Sequence, residues 1–185
     1  MEHHHHFDYD RVAEFRSLYV DDSLVMKFVS PDKHDTVLDI GAGDGHFSVL
    51  FSGTAKSVYA MDINPVSKRL TEEKAKNSGA KNVVHILQDS CSGELPDKFN
   101  IVFFGSSFHD LPCRDGLLER IREKAGGNAR IVLLEFKKEE TPGPPVEIRI
   151  SEEELLKIMT GHGFRLRRTE QMKIHYIQEY VMNGE

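Results

Sequence analysis

Two short stretches carry residues that could do chemistry together. "VLDIGAGDG" places Gly41, Gly43 and Gly45 beside Asp39 and Asp44, and "VYAMDINP" places Asp62 twenty-one residues after Gly41. Glycines after a strand let a ligand approach the backbone and allow a tight turn. A carboxylate about twenty residues further on is placed to accept hydrogen bonds from a ribose. A nucleoside-bearing cofactor is therefore expected. A dinucleotide fits less well. The glycine pattern is GxGxG instead of GxGxxG, and carboxylates a few ångströms from a pyrophosphate would repel it. A ligand with a ribose, no phosphate and a positive charge suits the loop. S-adenosylmethionine has an adenosine, a sulfonium and an ammonium, and Asp39 is the expected partner of the ammonium, directly or through water.

A third stretch, "GSSFHDL", supplies His109 and Asp110 at the end of another apolar run. His109 is the candidate base by location, with a pocket-wall residue as the alternative. Asp110 reads as a helix cap or surface charge. Phe47, Phe108 and Tyr19 are expected at the pocket mouth.

These motifs need a scaffold that brings them to one edge. Apolar runs at 36–40, 57–63, 82–87, 100–105 and 130–136 are short and β-branched, as buried parallel strands are. Helical segments alternate with them, which predicts a parallel sheet with helices on both faces. Pro65 suits a first helical turn, Gly79 a helix stop, and Ser151 with Glu154 a capping box. Gly126 and Gly127 are expected to end the helix that follows the fourth strand. The segments 164–172 and 174–182 follow each other too closely to be parallel, so an antiparallel pair or a bent ribbon is expected. Two amphipathic helices precede the sheet within residues 1–30. The prolines of "KKEETPGPP" (137–145) rule out regular structure there. That loop and the first helices are expected to form a mobile lid.

The chain resembles the class I S-adenosylmethionine-dependent methyltransferases, and within them the methyltransferase-11 and ubiquinone/menaquinone-methylase-like group. "VLDIGAGDG", "VYAMDINP", "LQDSCSGELPDKFNIVFFGSSFHDL" and "ARIVLLEFKKEETPGPP" carry the likeness. It implies a single Rossmann-like domain: a doubly wound, mostly parallel seven-stranded sheet over 36–185, one strand near the C-terminus antiparallel, and a helical cap at 1–30. It also implies cofactor contacts from Ala42 and Ile63 beside the glycines and Asp62, from Asp89 at the adenine amino group with Ser90 beside it, and from Ser106 near the methionine part. A loop carboxylate capping a turn is the alternative for Asp89.

The expected acceptor is a small organic molecule. The formal net charge is -6, and the densest basic cluster is Arg165, Arg167 and Arg168, whereas polyanionic substrates need many basic contacts. Nucleic acid is therefore a disfavoured partner. No Asn-Pro-Pro-Tyr follows the fourth strand, and no carboxylate cluster suggests a catalytic metal. A non-catalytic binding module and an NAD-type oxidoreductase remain rival readings. No apolar run reaches the roughly 20 residues of a membrane span. The two cysteines, Cys91 and Cys113, form no CxxC pair, so neither a zinc site nor a disulfide is expected, and a cytoplasmic setting is the default. The run His3–His6 reads as a tag or frayed terminus, with metal binding as the alternative.

Overall fold

A computed structural model describes residues 8–125 and 129–182. The histidine run and the Gly126–Gly127 stop lie outside the described residues. Two short helices, α1 (Tyr9–Tyr19) and α2 (Asp22–Val29), precede the sheet. The core then alternates β1 (Thr36–Ile40), α3 (His46–Ser52), β2 (Ser57–Asp62), α4 (Pro65–Ser78), β3 (Val83–Leu87), β4 (Ile101–Gly105), α5 (Arg114–Ala125), β5 (Arg130–Phe136), α6 (Glu152–Gly161), β6 (Phe164–Gln171) and β7 (His175–Met182).

The strand order is β3-β2-β1-β4-β5-β7-β6. The first five strands pair parallel, and β7 lies antiparallel between β5 and β6. The strand order reverses between β1 and β4. That is where ligands bind in open α/β sheets, at the carboxyl ends of the strands.

Alternation along the buried strands builds two cores. Leu38, Val102, Phe104, Ile131 and Leu133 face α5 and α6. Val37, Val58, Ile101, Phe103 and Val132 face α2 and α3. A side-chain period of two on doubly buried strands requires apolar residues on both faces. The local signals at helix ends also operate. Asn64 caps α4 with Pro65 in its first turn, Gly79 closes α4 with φ of 74°, and Ser151 with Glu154 forms the capping box of α6.

The cysteines correct the sequence-based expectation. Cys91 and Cys113 form a disulfide, with 5.5 Å between their Cα atoms and a sequence separation of 22. No spacing pattern announces this pair. The bridge forms because the segments leaving β3 and β4 meet at the carboxyl end of the sheet.

Candidate active site

A cavity of about 680 Å3 opens at the carboxyl ends of β1, β2 and β4. That volume lies in the range of small-molecule sites. The glycine loop forms its floor. Gly41, Gly43 and Gly45 all take positive φ, a backbone conformation that glycine adopts at least cost. The crowding differs along the loop. A Cβ on Gly45 would stand 2.8 Å from the Thr71 backbone, and one on Gly41 2.5 Å from Ser107 Cβ. At Gly43 the nearest atom, on the Tyr9 ring, is 3.8 Å away. Gly41 and Gly45 therefore serve packing, and Gly43 is the open approach for a ligand.

The two loop carboxylates behave differently from two bare negative charges. Asp44 accepts from Arg16 at 2.8 and 3.0 Å and from Lys74 at 2.7 Å. Burial raises its pKa, but these two cations outweigh that and hold it at about 2. Asp39 is buried beneath the loop, where it accepts from Ser48 Oγ at 2.6 Å. Burial lifts its pKa to about 7, against the Ser48 hydrogen bond, with Asp62 and Asp44 adding to the rise. The charge count that argued against a pyrophosphate is thus corrected: one carboxylate is neutralised by pairing, the other in part by a proton.

Asp62 ends β2 on the cavity wall. Its Oδ2 accepts from Gly43 N and its Oδ1 from Asn64 N, both at 2.8 Å. Burial nevertheless raises its pKa. A carboxylate has about four acceptor positions, so Asp62 fixes the loop and retains capacity for a ligand hydroxyl. Ala42, Ile63, Asp89, Ser90 and Ser106 also border the cavity. Asp89 has both oxygens engaged by its own turn, with Cys91 N at 2.8 Å and Ser92 Oγ at 3.0 Å. Ser106 holds φ of 57° at the end of β4, a left-handed conformation costly for a non-glycine residue and common at functional sites.

Of the aromatic residues expected at the mouth, Phe47 lines the cavity. Phe108 does not: it is buried in the α5 core against Phe104. Tyr19 packs on Phe15 at 4.7 Å, and it is Phe15 that faces the cavity. Tyr9 and Arg16 of α1, together with Phe136, also line it. The positions of Tyr9, Phe15 and Arg16 depend on how α1 lies over the sheet, which no local pattern encodes. Burial, with Asp62 and Asp44 nearby, drives the Tyr9 hydroxyl pKa upward.

His109 lies in a 3-10 turn, Phe108–Asp110, with its side chain 3% exposed. Its Nδ1 is 2.7 Å from Glu135 Oε2, while Glu135 Oε1 accepts from Phe108 N at 3.0 Å. Sequence reasoning missed Glu135. The available signal was a single acid inside the apolar run "RIVLLEF": a buried charge requires a partner. Asp110 is largely exposed, consistent with a surface charge.

The loop 137–145 supplies Gly143 and Pro144 to the cavity wall. Buried Arg149 gathers this loop, donating to the carbonyls of Lys137, Glu139, Thr141 and Pro144 at 2.7–3.0 Å. The expected mobile segment is a clasped one in this structure.

Comparison with known proteins gives this geometry its context. Residues 31–180 match a family described as a methyltransferase domain. The chain belongs to that family. A SAM dependent methyltransferase from Aquifex aeolicus superposes with a TM-score of 0.84 at 26% identity, over 96% of this chain and all of that one. A probable cobalt-precorrin-6B C(15)-methyltransferase (decarboxylating) of Methanothermobacter thermautotrophicus is 30% identical over 113 residues, 60% of this chain and 57% of that one. A tRNA (guanine(37)-N(1))-methyltransferase of Pyrococcus abyssi is 41% identical over 63 residues, 34% of this chain and 19% of that one. The chain thus spans little more than half the length of these two curated relatives at most. The methyltransferase is Rossmann-like and its cofactor is S-adenosylmethionine. The cavity fits that group, with an open glycine backbone at Gly43 and a strand-end carboxylate at Asp62. No described helix is long and apolar enough to cross a membrane.

Proposed function

We propose that this methyltransferase methylates a small organic molecule held between the cofactor site and His109. One observation carries the reading: the glycine loop, Asp62 and His109 border the same cavity, which α1 and the loop 137–145 help to wall. S-adenosylmethionine brings a methyl carbon already activated by positive sulfur. The protein then has to position the acceptor and exclude water. In this reading Asp62 holds the ribose, Gly41–Gly45 with Ala42 and Ile63 cradle the nucleoside and its tail, and Asp39 takes the ammonium from below. Asp89 and Ser90 border the adenine and Ser106 the methionine part. The helices α1 and α2 act as a helical cap.

A nucleic-acid acceptor, as in the tRNA relative's name, has less support. The Arg165–Arg168 cluster is partly committed to the fold: Arg167 Nη1 and Arg168 Nε donate to buried Glu179, at 3.1 and 2.5 Å. Arg168 also covers the Phe28 ring, 4.4 Å from its centroid. Those cations do not form a free stripe for a phosphate backbone.

The test is transfer of a labelled methyl group to fractionated metabolite pools and, separately, to total RNA. Label in a small-molecule fraction is expected. Label confined to RNA would overturn the acceptor class, and no transfer to anything would favour a binding module. The cytoplasm is the proposed setting; the Cys91–Cys113 bridge, of a kind rare in a reducing compartment, argues against it, and fractionation tests it.

A further inference from the structure

His109 on the cavity wall is backed by a buried acid, a pair that cofactor binding does not require. Glu135 is fully buried on β5, and its two oxygens accept from Phe108 N and from His109 Nδ1. A carboxylate holding Nδ1–H fixes the tautomer, so the lone pair of the ring lies on Nε2. The nearest acid to Nε2 is Asp110 Oδ1 at 3.6 Å, too far for a hydrogen bond.

We propose that His109 is a catalytic base for an aryl or enolic hydroxyl acceptor and that Glu135 is its positioning residue. The inference rests on the methyltransferase reading of this cavity. The acceptor class follows from acidity. Amines with a free lone pair attack without first losing a proton, and carboxylic acids are already ionised at neutral pH, so neither needs a base. An alkyl alcohol gives its proton to an imidazole only in concert with attack, as serine does in hydrolases, and is a far weaker acid than a phenol or enol. A phenol or enol lies within reach. Its hydroxyl proton passes to Nε2, the oxygen lone pair forms the bond to the methyl carbon, and the carbon–sulfur electron pair stays on sulfur. The proton then leaves Nε2 to water. The surroundings suit a planar apolar body: Phe136 stands edge-on to His109 at 5.9 Å, Phe15 lies 6.0 Å from Phe136, and Pro144 closes the same wall.

The charged neighbours set the direction of titration. Burial lowers the His109 pKa, but the hydrogen bond and charge of Glu135 outweigh it, Asp110 adds to the rise and Arg114 opposes it. His175, behind Phe136, is held neutral by burial, at about 4. His109 therefore titrates above its ordinary value, and a base that must be unprotonated acts on the alkaline side of that value.

The experiment follows the His109 ring by NMR against pH, then adds 4-nitrophenol to the complex with S-adenosylhomocysteine. In the wild type the ring should titrate above 6.5, and in Glu135→Gln lower by about one pH unit or more. The wild-type complex should bind 4-nitrophenol as its coloured phenolate below the phenol's own pKa. Glu135→Gln and His109→Asn should not, so the second variant decides if the first fails to fold. Equal His109 titration in wild type and Glu135→Gln, or 4-nitrophenol left protonated by the wild type, overturns the proposal. Failure of S-adenosylhomocysteine to bind, read first by calorimetry, would instead overturn the cofactor reading.

Discussion

Asp39 links the cavity, and the cofactor site proposed in it, to pH. Its pKa of about 7 comes from burial under the glycine loop, with Asp62 and Asp44 adding to the rise and the Ser48 hydrogen bond and the Arg16 charge opposing it. An acid whose pKa is raised on folding contributes stability that is full below its unfolded pKa and is lost as pH rises through about 7. A ligand ammonium would reverse that preference by favouring the ionised form. S-adenosylmethionine should therefore bind with proton release near pH 7, roughly tenfold more weakly at pH 6 than at pH 8. Calorimetry in buffers of different ionisation enthalpy reads the proton directly, and Asp39→Asn should abolish it. Asp62 makes a separate contribution. Asp62→Ala should weaken the cofactor by about 1.5–3 kcal/mol, the scale of a hydrogen bond to a charged group, as measured by the same titration. Because Asp62 also secures Gly43 N and Asn64 N, the variant should also loosen the loop, visible as faster amide exchange at Gly43. The placement of Asp39, Asp62 and the glycine loop at one cavity was legible because they sit at fixed offsets from strand ends. The neutralisation of Asp44 by Arg16 and Lys74, which lie 28 and 30 residues away, was not.

Among the elements, strands and helices were readable because buried parallel strands and capped helices carry local signatures. The antiparallel placement of β7 followed from the short connection after β6. The state of the 137–145 loop was not readable. Its prolines exclude regular structure but say nothing of Arg149, whose guanidinium replaces the missing backbone partners by donating to four loop carbonyls. Arg149→Ala would leave these carbonyls without their buried donor, and the loop should open. Limited trypsin digestion should cut after Lys137 or Lys138 markedly faster in the variant, while the wild type is cut slowly with or without cofactor. If both chains are cut at the same rate, the clasp does not control the loop. If cofactor alone slows cutting of the wild type, the loop moves as a lid despite the clasp.

Across the whole molecule, the cofactor edge is held by connections between segments distant in sequence. The Cys91–Cys113 bridge ties the segment after β3 to the entry of α5. Arg120 of α5 reaches the same segment independently, donating to the carbonyls of Ser90, Cys91 and Gly93. These two ties predict different consequences for stability and for binding. Opening a disulfide that closes a loop of this size relaxes the unfolded chain and costs about 2–4 kcal/mol. In a domain of this length that lowers the melting temperature by about 4–16 °C. Asp89 and Ser90, which border the cavity, should stay in place, because Arg120 still holds this segment's backbone and Asp89 still caps its own turn. The Cys91→Ser/Cys113→Ser double variant should thus melt earlier yet bind S-adenosylhomocysteine within roughly tenfold of the wild type. Paired melting and calorimetric measurements separate the two effects. A large loss of affinity with little change in melting would mean that the bridge, and not Arg120, sets the geometry of the proposed adenine side.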